Sequence, residues 1–267
     1  MTGKDARDED FPVASLLLPA AKRRHVMAFY RFARHADDIA DDPALEIGAK
    51  LARLSALETA LEGGPAHPLV TPLTRSLTDC GMTTDHARHL LQAFRADAEN
   101  RTYESWDDLI GYCAHSAMPV GGYLLDLFGE TAAEAHTASD ALCAALQVTN
   151  HLKDIGPDYR ENGRLYIPLA WLAEAGLNES ALQASRTSPA LRGIIDRLLD
   201  QTADLLKTAQ RLPRHLKSRS LARQASVTIA CANRLLWKLR RGDPLAEDLA
   251  LTKSDVFRCL FRGMFPG

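Results

Sequence analysis

Apolar residues recur along the chain at spacings of three and four, the period that places side chains on one face of an α-helix. Strict alternation of apolar and polar residues, which is typical of a half-buried strand, is scarce. The pattern predicts about ten helices, at residues 20–42, 45–62, 68–80, 83–101, 105–128, 132–155, 178–185, 188–211, 216–240 and 253–263. No connection is long enough, or rich enough in Gly, Ser and Pro, to be a domain linker. We therefore predict one all-α domain over residues 1–267.

Composition and charge narrow the classes of function. Of the 267 residues, 46% are hydrophobic, which is enough for a sizeable core, and the net charge of −2 argues against a nucleic-acid binder. The five cysteines include no CxxC pair, which favours reduced thiols in a cytoplasmic protein over a disulfide framework or a zinc site. The N-terminal MTGKDARDED lacks the apolar run of a signal peptide, and no stretch approaches the length of a transmembrane helix.

The sequence ADDIADDP at residues 36–43 places four aspartates at the end of the first predicted helix. Pro43 excludes the α region for the residue before it, so this helix should end near Asp42. Carboxylates at a helix C-terminus are unfavourable by about 0.3–1 kcal/mol each, and a bound cation would compensate them. A solvated helix end is the alternative, although apolar neighbours flank the acidic stripe. Its members, at spacings of four, three and four, are Tyr30, Arg34, Asp37 and Asp41.

A second polar stripe lies in QVTNHLKDIGPDYRENGRLYIP at residues 147–168, on a helix with apolar neighbours. Its members, at spacings of three, four and four, are Gln147, Asn150, Asp154 and Asp158. Buried carboxylates are normally paired or bound to metal, and ligation by oxygen alone favours Mg²⁺ over zinc. Two such stripes facing each other would form a magnesium site for a diphosphate. The dipeptide Gly156-Pro157 is expected to interrupt the second helix just before Asp158.

The two stripes resemble the two aspartate-rich motifs of the squalene/phytoene synthase family. FRADAENRTYESWDDLIGYC at residues 94–113 is similar to the family's segment between these motifs, and the resemblance runs from about Phe11 to Pro168 and more weakly beyond. It implies an all-α isoprenoid synthase bundle with a central cavity, and magnesium-dependent chemistry on prenyl diphosphates.

The resemblance also implies roles for individual residues. Magnesium–diphosphate assemblies would be held by Asp37, Asp41, Asn150, Asp154 and Asp158. Contacts with the diphosphate, or positions beside it, are implied for Arg34, Gln147, Arg164 and Tyr166. The cavity in which carbocations form would be lined by Tyr30 and Tyr112, and Ser116 is a candidate for orienting a water molecule.

Three local patterns are similar to one branch of the family, the bacterial hydroxysqualene synthases of hopanoid pathways. These patterns are DFPVASLLLP at 10–19, YCAHSAMPVGGYLL at 112–125 and LKDIGPD at 152–158. The likeness implies that presqualene diphosphate is the substrate and that water captures the carbocation formed from it. It also implies a functional link to a presqualene diphosphate synthase. Lys153 and Pro157 stand where squalene and phytoene synthases usually have Arg and Glu. The contacts with the diphosphate at these two positions should therefore differ from those in squalene and phytoene synthases.

Two alternatives stay open at this point. Another head-to-head prenyl synthase, forming presqualene diphosphate, squalene or phytoene, would share the acidic stripes but couple two prenyl diphosphates or use a reductant. A catalytically silent helical assembly factor is the other alternative. The intact Asp37, Asp41, Asp154 and Asp158 argue against a silent factor, since a scaffold gains nothing from buried uncompensated carboxylates.

Two segments near the C-terminus bear on location. KLRRGDP at 238–244 is basic, and CLFRGMF at 259–265 is apolar with one arginine. A solvated helix end explains the first, and core or interface packing the second. Contact with an anionic membrane is the alternative for the first segment, and an apolar surface for lipid delivery is the alternative for the second. We otherwise expect the protein in the cytoplasm, where such peripheral contact would be at the inner membrane face.

Overall fold

The computed structural model describes residues 17–264, and within this range it contains helices and no strand. The α-helices in this range are α1 (Ala20–Asp41), α2 (Ile47–Leu61), α3 (Val70–Cys80), α4 (Asp85–Ala98), α5 (Trp106–Ser116), α6 (Met118–Phe128), α7 (Ala133–Lys153), α8 (Ile155–Asn162), α9 (Leu169–Glu174), α10 (Pro189–Ala209), α11 (Leu212–His215), α12 (Arg219–Leu239) and α13 (Lys253–Met264). A 3₁₀ turn at Glu179–Gln183 lies between α9 and α10. None of these helices is long and apolar enough to span a membrane.

The predicted all-α class is confirmed, and most predicted helices exist with ends shifted by up to three residues. The helix predicted at 178–185 is only the 3₁₀ turn. Three short helices were missed, namely α8, α9 and α11. Breaks were predicted at α8 and α11, which contain Pro157 and Pro213, but proline is compatible with the first turn of a helix, where its missing N–H has no partner to lose.

The single helix predicted at 105–128 is wrong, because the structure divides it into α5 and α6 at Ala117. Its start is as predicted: Ser105 and Asp108 form a capping box, with the Asp108 N–H donating to Ser105 Oγ at 3.1 Å. The break follows from Pro119, which has no N–H to donate to the carbonyl of His115 four residues earlier. Ser116 consequently lies at the end of α5.

Helix α7 lies at the centre of the described fold and packs against α5, α6, α10, α11 and α12. Helix α1 packs against α2, α3 and α4, and α4 also contacts α5 and α6. Two glycines permit close approaches of α6: a Cβ on Gly121 would lie 2.6 Å from Cys143 Sγ on α7, and one on Gly122 would lie 2.7 Å from the His86 ring on α4. Helices α4, α5 and α6 thereby connect α1, which carries the first stripe, with α7, which carries the start of the second.

Candidate active site

Helix α1 carries the whole of the first stripe, from Tyr30 to Asp41, without interruption. It ends where Pro43 predicted, because Asp42 has an extended backbone (φ −62°, ψ 109°). The Asp42 carboxylate accepts a hydrogen bond from the Ala44 N–H at 2.9 Å, which stabilises the turn that follows. Tyr30 is half-buried one turn before Arg34.

Arginines lie against the aspartates of the first stripe. Arg34 contacts Asp37 at 2.7 Å and Asp38 at 2.9 Å, and Arg164 contacts Asp41 at 2.6 Å. Guanidinium groups therefore compensate part of the negative charge at this helix end. The sequence analysis expected a bound cation in that role and did not predict these arginine contacts. The compensation is incomplete, because burial and the neighbouring Asp41 raise the pKa of Asp37 well above its usual range against the effect of the arginines.

The second stripe spans the junction of two helices. Gln147 and Asn150 lie on α7, Asp154 is the junction residue (φ −99°, ψ 11°), and Asp158 lies in the first turn of α8. The predicted break just before Asp158 is wrong, because Gly156-Pro157 fits within the first turn of α8 and the chain breaks earlier, at Asp154. The Asp158 N–H donates to the Asp154 carbonyl at 2.8 Å, which keeps both carboxylates close to helical spacing.

The side-chain oxygen of Asn150 has the surroundings expected of a metal ligand. Its Oδ1 atom is buried and accepts no hydrogen bond within the described part of the chain. A buried amide oxygen without a donor is costly, and a metal ion or a bound water would satisfy it. Its neighbour in the stripe, Asp154, is contacted by Lys153 Nζ at 3.1 Å.

Arg164 connects the two stripes. Gly163 ends α8 in the left-handed conformation (φ 67°), and the Arg164 N–H donates to the Asp158 carbonyl at 3.2 Å, which turns the chain back toward α1. Because the Arg164 side chain then reaches Asp41, this one residue contacts a member of each stripe. Sequence spacing could not predict this pairing, since the two residues are far apart in the chain.

An aromatic cluster lies beside this junction. The His151 ring stacks on Tyr166 with centroids 3.4 Å apart and an interplanar angle of 13°. Burial, assisted by Arg164, lowers the pKa of His151 to about 3, so the imidazole is neutral. The Gln147 amide nitrogen lies 3.0 Å from His151 Nε2, which accepts this hydrogen bond with the ring proton on Nδ1.

Asp97 on α4 is a residue of this region that our sequence analysis missed. The Tyr112 and Tyr166 hydroxyls donate to its two carboxylate oxygens at 2.9 and 3.0 Å. Burial raises the pKa of Asp97, while Arg164 and the two tyrosine hydrogen bonds oppose that rise. An aspartate that continues the apolar stripe of α4, after Leu90 and Ala93, was the available signal.

Tyr112 and Ser116, the two candidates on α5, have different surroundings. The Tyr112 hydroxyl is engaged by Asp97, and its buried ring lies beside the ring of Tyr166. Ser116 Oγ is buried and has no hydrogen-bond partner among residues 17–264. The assignment of cation stabilisation to Tyr112 and of water orientation to Ser116 stays a prediction.

Within residues 17–264, no three His, Cys, Asp or Glu side chains lie close enough together to hold a metal ion on their own. The oxygen ligands that are present nevertheless suit Mg²⁺, which uses one or two carboxylates and takes its other ligands from water and phosphate. The unsatisfied Asn150 oxygen and the partly compensated Asp37 carboxylate fit this requirement.

Comparison with a family model identifies the class of protein. Residues 4–255 match the model described as squalene/phytoene synthase, so the chain belongs to this family. This match confirms the resemblance drawn from the two acidic motifs. Of the pattern DFPVASLLLP at 10–19, residues 10–16 lie outside the described part of the structure.

Individual relatives narrow the likeness to one branch. The chain is 43% identical over 264 residues to the hydroxysqualene synthase of Rhodopseudomonas palustris, covering 98% of this chain and 90% of the relative. It is 40% identical to that of Sinorhizobium fredii, covering 94% and 86%. The solved structure of a squalene synthase, HpnC, from Alicyclobacillus acidocaldarius is similar with a TM-score of 0.76 and 33% identity, covering 86% and 87%.

Proposed function

We propose that this protein is a hydroxysqualene synthase, which converts presqualene diphosphate and water into hydroxysqualene and diphosphate. The reaction breaks the carbon–oxygen bond to the diphosphate, forms a bond from carbon to the oxygen of water, and releases a proton. The observation that carries the proposal is that Arg164 contacts both stripes, with its side chain on Asp41 and its N–H on the Asp158 carbonyl. The unsatisfied Asn150 oxygen of the second stripe supports it. The names and coverage of the relatives support the same reaction.

The arginines are proposed to exchange partners when substrate binds. Arg34 and Arg164, which contact Asp37 and Asp41 here, would turn to the diphosphate oxygens, since guanidinium groups bind phosphate in a bidentate manner. The freed carboxylates, with Asn150, Asp154 and Asp158, would hold Mg²⁺. When bound, Mg²⁺ would withdraw electron density from the diphosphate and stabilise it as a leaving group.

The aromatic side chains are proposed to shield the carbocation from premature capture by water. Tyr112 would present its ring face, because Asp97 restrains its hydroxyl, and Tyr30 would contribute from α1. The neutral His151, stacked on Tyr166, would add no positive charge that repels the cation.

The substrate bears on where the protein acts. A thirty-carbon prenyl diphosphate would be supplied by a head-to-head prenyl coupling enzyme. Because such a lipid dissolves in the membrane, we propose that the protein makes peripheral contact with it.

Incubation with presqualene diphosphate and Mg²⁺, without NADPH, tests the function. We expect hydroxysqualene and diphosphate in equal amounts, and no turnover when the metal is chelated. An Asp154→Asn variant should be inactive under the same conditions. Product only from two prenyl diphosphates, or a hydrocarbon only with NADPH, would assign the chain to another reaction of the family. Absence of turnover on every such substrate would favour a silent assembly factor.

The buried Ser116 hydroxyl is expected to influence the capture of water. Ser116→Val should leave release of diphosphate largely intact but divert product from hydroxysqualene toward eliminated or rearranged hydrocarbons. Ser116→Thr is the matched control, because Thr has nearly the shape of Val and retains the hydroxyl. Released diphosphate and extracted products are measured on one sample. An equal hydroxysqualene fraction in both variants would mean that Ser116 only packs.

A further inference from the structure

The outward side of α13 carries aromatic and basic side chains together. We call this surface the α13 face; it consists of Lys253, Phe257, Arg258, Phe261 and Arg262, all exposed. Phe257 is 71% and Phe261 is 62% exposed, although the opposite side of α13 buries Asp255 and Cys259. Because the two phenylalanines are four residues apart, they project on the same side, about 6 Å apart along the helix axis.

A groove of about 1110 Å³ lies beside the α13 face and is lined by residues of α11, α12 and α13. Its charged lining residues are Arg214, Arg234, Arg258, Arg262 and Asp255, so positive charges exceed negative ones by three. Asp255 is already neutralised by Arg234 at 2.7 Å. The other three arginines have no acidic partner within 4.0 Å in the described part of the chain, which leaves their charge available to an external anion.

Trp237 extends the aromatic character of the surface to the rim of this groove. It is 43% exposed, and the guanidinium groups of Arg234 and Arg241 lie 4.2 Å from its ring. Exposed aromatic rings that alternate with arginines are typical of a helix that lies in the interface of a membrane, with rings among the acyl chains and cations among the headgroups. The chain as a whole has a net charge of −2, so this positive surface is local.

We infer that the α13 face and its groove dock on an anionic phospholipid membrane. A second copy of the chain is a poorer occupant, because a twofold contact through this surface would bring its arginines together. A free phosphate would use the arginines but would leave Phe257, Phe261 and Trp237 in water. The inference rests on the proposed function only for its purpose, which is access to a substrate and product that dissolve in the membrane.

Co-sedimentation of the full-length protein with vesicles tests the inference without turnover, so its outcome is independent of the proposed reaction. We expect binding to vesicles of phosphatidylcholine with phosphatidylglycerol, weaker binding to phosphatidylcholine alone, and loss of binding at high salt. The charge variant Arg258→Glu/Arg262→Glu should bind at least about tenfold more weakly, since each cation contributes roughly fivefold. Phe257→Ser/Phe261→Ser should also weaken binding.

The matched control is Ile47→Ser/Arg53→Glu on α2, which changes an exposed apolar and an exposed basic residue elsewhere. It should bind as the wild type does, and all variants should keep the wild-type circular dichroism. Equal binding by every variant would overturn the inference. So would self-association that Phe257→Ser/Phe261→Ser abolishes without any binding to vesicles. Binding of inorganic phosphate alone, with no affinity for vesicles, would also overturn it.

Discussion

Asp37→Asn should lower the turnover of presqualene diphosphate by about 100-fold or more while the fold survives. The substitution removes a carboxylate that we assign to the Mg²⁺–diphosphate assembly. It also removes the repulsion from Asp41, one of the causes that raise the pKa of Asp37, so the melting temperature should stay equal or rise. Mg²⁺ with a non-reactive diphosphate analogue should raise the melting temperature of the wild type and raise that of the variant much less.

Asp38→Asn is the matched control for this prediction. Asp38 neighbours Asp37 on α1 and contacts the same Arg34 at 2.9 Å, but its side chain is 48% exposed and lies outside the stripe. Its substitution should change turnover less than about threefold, because an exposed ion pair contributes little. Near-wild-type turnover of Asp37→Asn with saturating Mg²⁺ would disprove the two-stripe model.

Asp97→Ala should lower the free energy of unfolding by about 2–4 kcal/mol. The substitution removes the acceptor of two buried tyrosine hydroxyls, and each hydroxyl left without a partner costs about 1–3 kcal/mol. The relief of burying the Asp97 carboxylate offsets part of this loss. Turnover should also fall, because Tyr112 and Tyr166 lose the group that holds them in place. Urea unfolding and steady-state kinetics measure the two effects.

Tyr103→Phe is the control that separates lost hydrogen bonds from altered aromatic packing. The Tyr103 ring lies 5.2 Å from that of Tyr112, but its hydroxyl is buried without a partner within residues 17–264. Its removal should leave stability equal or slightly higher. Tyr112→Phe removes a hydrogen bond of 2.9 Å and should destabilise the protein. Equal stabilities of Tyr103→Phe and Tyr112→Phe would contradict the role assigned to Asp97.

Local patterns were sufficient for much of the fold and for the family. The acidic stripe of α1 could be predicted because one helix holds all its members, and Pro43 marks its end. The two acidic motifs indicated the squalene/phytoene synthase family, which the family model confirms. The single domain over residues 1–267 and the roles of the site residues stay predictions.

Local patterns did not predict the positions of two helix breaks that lie near prolines. At Pro119 they predicted a continuous helix, and at Gly156-Pro157 they predicted a break two residues beyond its real position at Asp154. A proline removes one donor wherever it occurs, but whether the helix breaks depends on its position in the turn and on packing around it.

The sequence by itself determined the helical period, the acidic stripes and the family, because these depend on residues within a few turns of one another. Only the tertiary structure decided that Arg164 reaches Asp41, that Asp97 holds two tyrosines, and that His151 is neutral. Each of these depends on side chains from helices far apart in the chain. Charge compensation and burial are properties of the assembled environment, so no single segment contains them.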